Sequence, residues 1–174
     1  MGSSRPILAI DTSTDQAGVA LYGTDIAISL TWNAGRRQTV SVLDQVDRSL
    51  ALAGLRPNGV GSIAVANGPG MFTSLRVGLS LAKGLALSLD LPVVAVSTLE
   101  VAVQPWLHTG RDVVALVAVG RGRVVWQRFA TDGSALTILR NSSLEELEAT
   151  LLEGAPALVT GELPTTNAHQ LMQT

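Results

Sequence analysis

Cysteine is absent from this chain of 174 residues, and aromatic residues make up only 3% of it. Without cysteine there is no disulfide framework and no thiolate ligand for a zinc site. The two histidines, His108 and His169, are far apart, and no predicted helix carries histidine or acidic residues at the i, i+4 spacing of a metal site. We therefore expect no metal, no cofactor and a core of aliphatic side chains.

An excess of positive charge and a long hydrophobic run are also lacking. The net charge is −2 and the basic residues are scattered, whereas a surface that captures nucleic acid concentrates lysine and arginine. The first residues do not have the order of a signal peptide. The apolar stretch at residues 85–96 is interrupted by Ser88, Asp90 and Pro92, so it does not suit a membrane span. A cytoplasmic protein without membrane contact is expected.

The hydrophobic pattern predicts an α/β fold with a mixed sheet. The first part has the order βββ-α-β-α-β, because three strands with tight turns precede two helices that alternate with strands. These elements are expected at residues 6–10, 17–22, 26–32, 39–53, 63–66, 73–89 and 93–96. Ser97 and Ser143, each followed three residues later by a glutamate, predict helix starts. The second part repeats the order incompletely, with strands and a helix expected at residues 113–118, 124–129, 135–139, 143–152 and 157–160.

Two turns are candidates for holding a phosphate group. Asp11, Thr12 and Ser13 follow the first strand, and their hydroxyl, backbone N–H and carboxylate groups suit a phosphate with its magnesium ion. The alternative is that these side chains satisfy the backbone of their own turn. The turn at residues 68–70 precedes a helix, whose N-terminus attracts anions, but it matches neither common phosphate-binding fingerprint. No nucleophile paired with a base is evident.

The helix expected at residues 73–89 is apolar over most of its circumference. Its polar stripe is narrow, whereas docking on a single sheet requires an apolar arc of little more than 100°. Gly78, Ala82 and Ala86 recur every four residues and form a smooth ridge that another helix can approach closely. Two alternatives follow from this pattern. The ridge contacts another protein, or the helix is wedged between its own sheet and the helix at residues 39–53.

Several segments together resemble the TsaB (also called YeaZ) family. Residues 7–14, ILAIDTST, are similar to the first strand and turn of these proteins. Residues 68–79, GPGMFTSLRVGL, resemble their GPG-x-FTG-[LV]-R-[IV]-G signature, and the match continues in order through residues 82–87, 91–93 and 96–100. Residues 122–126 resemble the hairpin that follows. The likeness extends from about residue 6 to residue 130.

The resemblance implies an actin/Hsp70-like (ASKHA) fold. Residues 1–105 then form the first lobe, and residues 106–174 form a reduced second lobe with a tail. It also implies a non-catalytic subunit that binds a TsaD-type paralogue, the enzyme that transfers threonylcarbamoyl to an adenosine of tRNA. A TsaE-type ATPase joins that complex, tRNA is contacted only indirectly, and the subunit alone forms a homodimer.

The resemblance places the partner contact on the two helices of the first lobe. The interface residues expected there are Val42, Val46, Phe72, Ser74, Leu75, Gly78, Leu79, Ala82 and Ala86. The His-x-x-x-His metal motif of the catalytic paralogue has no counterpart, which fits a non-catalytic role. Met71 and Ser74 replace the serine and glycine that are usual in the family signature.

Two other functions compete with the scaffold interpretation. One is a magnesium-dependent ATPase or kinase of the ASKHA type that uses Asp11, with nucleotide bound at Asp11, Thr12 and Ser13. Asp11-dependent ATP turnover by the pure protein would identify it. The other is a self-associating homodimer with a different role, which predicts stable dimers that ignore a TsaD-type protein.

Overall fold

The computed structural model describes residues 5–34 and 38–163, with side chains for all of these except residues 38–41. Contacts divide this part of the chain into two compact units. The first contains the residues up to Gly68 and Phe72–Val96, and the second contains Pro69–Met71 and the residues from Ser97 onward. None of its helices is long and apolar enough to cross a membrane. The predictions that involve His169 lie outside the described residues.

The first unit is a five-stranded mixed sheet with two helices. The strand order is β3-β2-β1-β4-β5, in which β2 is antiparallel to β1 and β3, while β4 is parallel to β1 and β5. Its elements are β1 (Ile7–Asp11), β2 (Gln16–Gly23), β3 (Ile26–Asn33), α1 (Gln38–Leu52), β4 (Ser62–Ala66), α2 (Phe72–Leu89) and β5 (Val93–Val96). The predicted order βββ-α-β-α-β is confirmed.

Both helices of the first unit lie on the same face of its sheet. The strands alternate, so every second residue points to this face, and the facing pairs Leu8–Leu21 and Ile10–Val19 are buried. The helices complete one core cluster with the side chains of Val42, Val46, Leu50, Ala82 and Ala86. Burial of each larger aliphatic side chain contributes about 1.5–3 kcal/mol, which makes this cluster the main source of stability of the unit.

The second unit is a four-stranded sheet with one helix on each face. The strand order is β8-β7-β6-β9, in which β7 is antiparallel to β6 and β8, while β9 is parallel to β6. Its elements are α3 (Thr98–Val103), β6 (Asp112–Gly120), β7 (Arg123–Phe129), β8 (Arg140–Ser143), α4 (Leu144–Glu153) and β9 (Ala157–Glu162). Leu99 and Val103 of α3 pack on one face, and Leu144 and Leu147 of α4 pack on the other.

The two sheets repeat one arrangement. The order β8-β7-β6-β9 has the same chain path as β3-β2-β1-β4, with α4 in the place of α1. The predicted partial repeat of the first part is therefore present. Because α3 packs on the second sheet, the contacts assign it to the second unit, whereas the sequence placed the boundary after residue 105.

The strand predicted at residues 135–139 is wrong. The third strand of the hairpin extension is β8, Arg140–Ser143, and residue 135 forms only an isolated bridge with Phe129. Thr137 explains the difference, because its hydroxyl accepts a hydrogen bond from the backbone N–H of Arg128 at 3.0 Å and its carbonyl accepts one from the Gln127 side chain at 2.7 Å. Side chains thus replace part of the backbone ladder before β8 begins.

Candidate functional site

The turn after β1 is closed by its own side chains. Asp11, the last residue of β1, accepts hydrogen bonds through Oδ1 from the backbone N–H of Ser13 at 2.8 Å and from the Ser13 hydroxyl at 2.6 Å. Ser13 is buried. This geometry supports the interpretation that Asp11 and Ser13 satisfy their own turn. Nucleotide binding at Asp11, Thr12 and Ser13 stays a prediction.

Thr12 joins the same turn to the start of α2. Its buried hydroxyl donates a hydrogen bond to the backbone carbonyl of Ser74 at 2.7 Å. One helical turn later, a Cβ atom at Gly78 would overlap the Thr12 hydroxyl. Glycine is therefore required at position 78 because the helix passes directly against the turn. The turn and α2 form one rigid arrangement.

A glycine also shapes the turn that leads into α2. Gly68 is buried and has a φ of 105°, a backbone conformation that residues other than glycine rarely adopt. The next residue upstream, Asn67, donates its backbone N–H to the carbonyl of Val96 at 3.0 Å, so the turn starts from the edge of the sheet. The structure therefore explains two glycines, Gly68 and Gly78, of the segment at residues 68–79 that resembles the family signature.

The ridge of small residues on α2 faces its own sheet. Ser74, Gly78, Ala82 and Ala86 are the buried residues of this helix, and Ala82 is 0% exposed. Of the two alternatives for the ridge, the structure therefore favours packing of α2 against its own sheet and α1. Val42 and Val46 of α1 are buried in the same core. The assignment of these six residues to a partner interface is corrected, because they are buried inside the chain's own fold.

The opposite side of the two helices is exposed, and we call it the two-helix face. It is made of Leu43, Asp44, Asp47, Arg48, Leu52, Phe72, Thr73, Arg76, Ser80, Lys83, Gly84 and Leu87. Of the residues predicted for the interface, only Phe72 is fully part of this surface, while Leu75 and Leu79 are half-buried. An interface on these two helices stays a prediction. The residues proposed for it are now those on the exposed side of the helices.

Large apolar side chains protrude from the two-helix face, and Phe72 and Leu87 are the most exposed of them. Phe72 is 74% exposed and Leu87 is 86% exposed. The Arg76 guanidinium lies 5.4 Å from the centroid of the Phe72 ring, a cation–π contact that restrains both side chains. Aromatic and arginine residues of this kind are typical anchors of protein–protein interfaces.

A small crevice opens between α1 and α2. Its volume is about 30 Å³. The walls are apolar and come from both helices, from β1 and β4, and from the segment after α1, while Asp47 supplies the one charged side chain. The sequence did not reveal this crevice, because it exists only where two separate helices lie side by side.

The sequence also did not identify Gly84 and Leu87 as surface residues. A Cβ added at Gly84 would meet no atom within 4 Å, in contrast to Gly78. The signal available in the sequence was the polar stripe of Arg76 and Lys83, which marks a side of the helix that stays in water. In residues 5–34 and 38–163, no three histidine, aspartate or glutamate side chains come together as a metal site.

Comparison with known proteins relates the chain to tRNA modification. Residues 32–170 match a family model described as TsaD: tRNA N6-adenosine threonylcarbamoyltransferase. The tRNA threonylcarbamoyladenosine biosynthesis protein TsaB of Buchnera aphidicola subsp. Schizaphis graminum is 33% identical over 132 residues, which cover 75% of this chain and 63% of that protein. The chain thus spans less than two thirds of the length of this relative.

Solved structures agree with the fold. YeaZ from Pseudomonas aeruginosa superposes with a TM-score of 0.77 at 23% identity, over 97% of this chain and 90% of that one. A Bacteroides thetaiotaomicron protein described as having an actin-like ATPase fold and unknown function gives a TM-score of 0.54 at 11% identity, over 98% of this chain and 87% of that one. The expected actin-like (ASKHA) architecture is confirmed.

Proposed function

The chain belongs to the TsaD family of tRNA N6-adenosine threonylcarbamoyltransferases and within it to the TsaB (YeaZ) group, and on this premise we propose that it is a non-catalytic subunit that binds a TsaD-type protein. In this role it supports threonylcarbamoyladenosine formation on tRNA. The TsaD-type partner supplies the transferase chemistry and contacts the tRNA, and a TsaE-type ATPase joins through the complex. Without its partner the subunit pairs with a second copy.

The two-helix face is the observation that carries this proposal. Phe72 and Leu87 expose apolar surface to water, and exposed apolar surface of this kind is typical of sites that bind another protein. Between them, Ser80 and Gly84 are small, so a partner helix can approach within the 8–10 Å or so that separates packed helices. The surface thus combines protruding anchors with a smooth strip.

The turn after β1 supports a role without catalysis. The Thr12 hydroxyl donates to Ser74, and Asp11 Oδ1 accepts two hydrogen bonds from Ser13. The Thr12 bond holds the turn against α2, the helix that carries the proposed docking surface, while the Asp11–Ser13 bonds close the turn itself. The first segment of the family resemblance therefore has a structural role, which is to hold α2 in place.

Light scattering of the chain alone, and then mixed with the TsaD-type protein of the same genome, tests the proposal. We expect the mixture to form a complex with the mass of both chains. Two species that stay separate, even with the TsaE-type ATPase and nucleotide present, would overturn it. ATP turnover by the pure chain that is lost in Asp11→Ala would instead favour the enzyme alternative.

Gly84→Arg should abolish or weaken the complex by at least about tenfold without unfolding the chain. The substitution places a long charged side chain on the outer strip, where the partner helix must come close. A Cβ atom at this exposed position meets no other atom within 4 Å. The affinity is measured by titration calorimetry, and folding by circular dichroism.

Ala27→Arg is the matched control, because Ala27 is exposed on β3 and lies away from the two-helix face. It should leave the affinity unchanged. Ala82→Arg should behave differently from both and unfold the chain, since it buries a charge at a position that is 0% exposed. Normal binding by folded Gly84→Arg would place the interface elsewhere.

A further inference from the structure

The crevice between α1 and α2 combines an apolar interior with one carboxylate. Its walls include Leu43, Val46 and Leu50 of α1 and Leu85 and Leu89 of α2, and Asp47 lies among them. The cavity is too small for a cofactor, since binding sites for small molecules occupy roughly 300–1,000 Å³. It has the size of part of one side chain.

We propose that this crevice receives a lysine or arginine side chain of the docked TsaD-type partner, with the charged group paired to Asp47. The inference rests on the proposed function, because it requires a partner that covers the two-helix face. The inference specifies one anchor residue of the partner, a lysine or arginine, and the crevice that binds it.

Asp47 makes no ion pair within the part of the chain that the structure describes. In an α-helix, ion pairs form between residues three or four positions apart. Around Asp47 these positions hold Leu43, Asp44, Leu50 and Ala51. Of these, only Asp44 is charged, and it has the same sign. Among the described residues, the ion pairs Arg123–Glu146 and Arg128–Asp112 lie in the second unit, and neither involves Asp47.

An unpaired carboxylate at this place determines what a partner must bring. In the separated chain Asp47 is exposed and hydrated. A partner that covers the crevice with apolar atoms alone would remove this water without replacing it, which is unfavourable for a charged group. A cationic side chain avoids this penalty, because its charged end takes the place of the water.

The apolar walls favour a long cationic side chain over a short one. Lysine and arginine carry three or four methylene groups, which pack along apolar surface while the charged end reaches a polar rim. In the crevice, the methylene groups would contact the leucines of both helices and the charged end would meet Asp47. The crevice therefore discriminates by shape and by charge together.

Asp47→Asn tests the inference in titrations with the TsaD-type protein of the same genome at low and high salt. We expect an affinity about five- to tenfold weaker at low salt, with a smaller loss of affinity on adding salt than for the original chain. Asp47→Lys should reduce the affinity further, because it opposes the partner's cation with a like charge. Asp47 is exposed, so both variants are expected to remain folded, as checked by thermal melting.

Asp44→Asn is the matched control. It removes the same charge from the same helix at a neighbouring exposed position that does not line the crevice. Asp44 lies on the two-helix face but outside the crevice, so we expect a clearly smaller loss of affinity than for Asp47→Asn. Equal losses for Asp44→Asn and Asp47→Asn would show a general electrostatic attraction and overturn the pocket.

The possible failures are distinguishable. If the original chain binds and Asp47→Asn binds equally well or more tightly, the partner inserts an apolar side chain and the inference is wrong, while the proposed function stands. If the original chain does not bind the TsaD-type protein at all, the proposed function fails and the inference fails with it.

Discussion

The contact of Thr12 with Gly78 links the two segments that carry the family resemblance. Thr12 lies in the first of these, the turn after β1, and donates to the carbonyl of Ser74, 62 residues later in the chain. Gly78 lies in the second, and its lack of a side chain is what allows this approach. Both residues therefore serve the packing of α2 on its sheet.

Gly78→Ala should lower the free energy of unfolding by about 1–3 kcal/mol, because the added methyl overlaps the Thr12 hydroxyl in a buried and well-packed place. Gly84→Ala, in the same helix, should raise it by up to about 1 kcal/mol, since alanine is the better helix former and nothing obstructs its Cβ. Urea denaturation measures both. A similar change in the two variants would mean that the close approach at position 78 is relieved at no cost.

At the scale of elements, helix starts follow from short local patterns. Ser143 precedes α4 and accepts a hydrogen bond from the backbone N–H of Glu146 at 3.2 Å, while the Glu146 carboxylate accepts one from the backbone N–H of Ser143 at 2.8 Å. This is the predicted capping box. Beside it, hydrogen bonds from its own backbone and from Ser143 lower the pKa of Glu145.

Ser143→Ala should destabilise the protein by about 1 kcal/mol, since the helix loses the side chain that satisfies one of its first N–H groups. Ser143→Asp should retain most of the stability, because a carboxylate accepts the same hydrogen bond and favours the positive end of the helix dipole. Thermal unfolding of the three proteins checks this. An unchanged midpoint for Ser143→Ala would indicate that tertiary packing alone holds the start of α4.

At the scale of the whole molecule, the net charge bears on whether the chain itself binds RNA. Its 12 basic and 14 acidic residues give a net charge of −2 and a pI of about 5.6. Phosphate contacts contribute to affinity through concentrated lysine and arginine, which the sequence does not supply. If the proposed function holds, the chain takes part in tRNA modification through its partner.

The isolated chain should therefore bind tRNA with a dissociation constant weaker than about 10⁻⁵ M at physiological salt, a value within the range of non-specific association. Filter binding with the chain alone, and then with the assembled complex, measures this. Tight binding by the chain alone would contradict indirect contact and assign it an RNA surface of its own.

The sequence by itself determined the order of the elements, the partial repeat of the first part and the helix caps at Ser97 and Ser143. These depend on local hydrogen bonds and on periodicity, which a single segment contains. The prediction of a strand at residues 135–139 was wrong, because Thr137 forms hydrogen bonds with residues of β7, which are not its neighbours in sequence.

Only the tertiary structure decided which side of α2 faces the sheet. The helix is apolar around most of its circumference, so hydrophobicity did not distinguish the buried ridge of Gly78, Ala82 and Ala86 from the exposed strip with Gly84 and Leu87. The choice depends on Thr12, a distant residue that requires a glycine beside it. The crevice at Asp47 likewise exists because two helices pack side by side on one sheet, and such contacts between distant segments leave no periodic signal in either one.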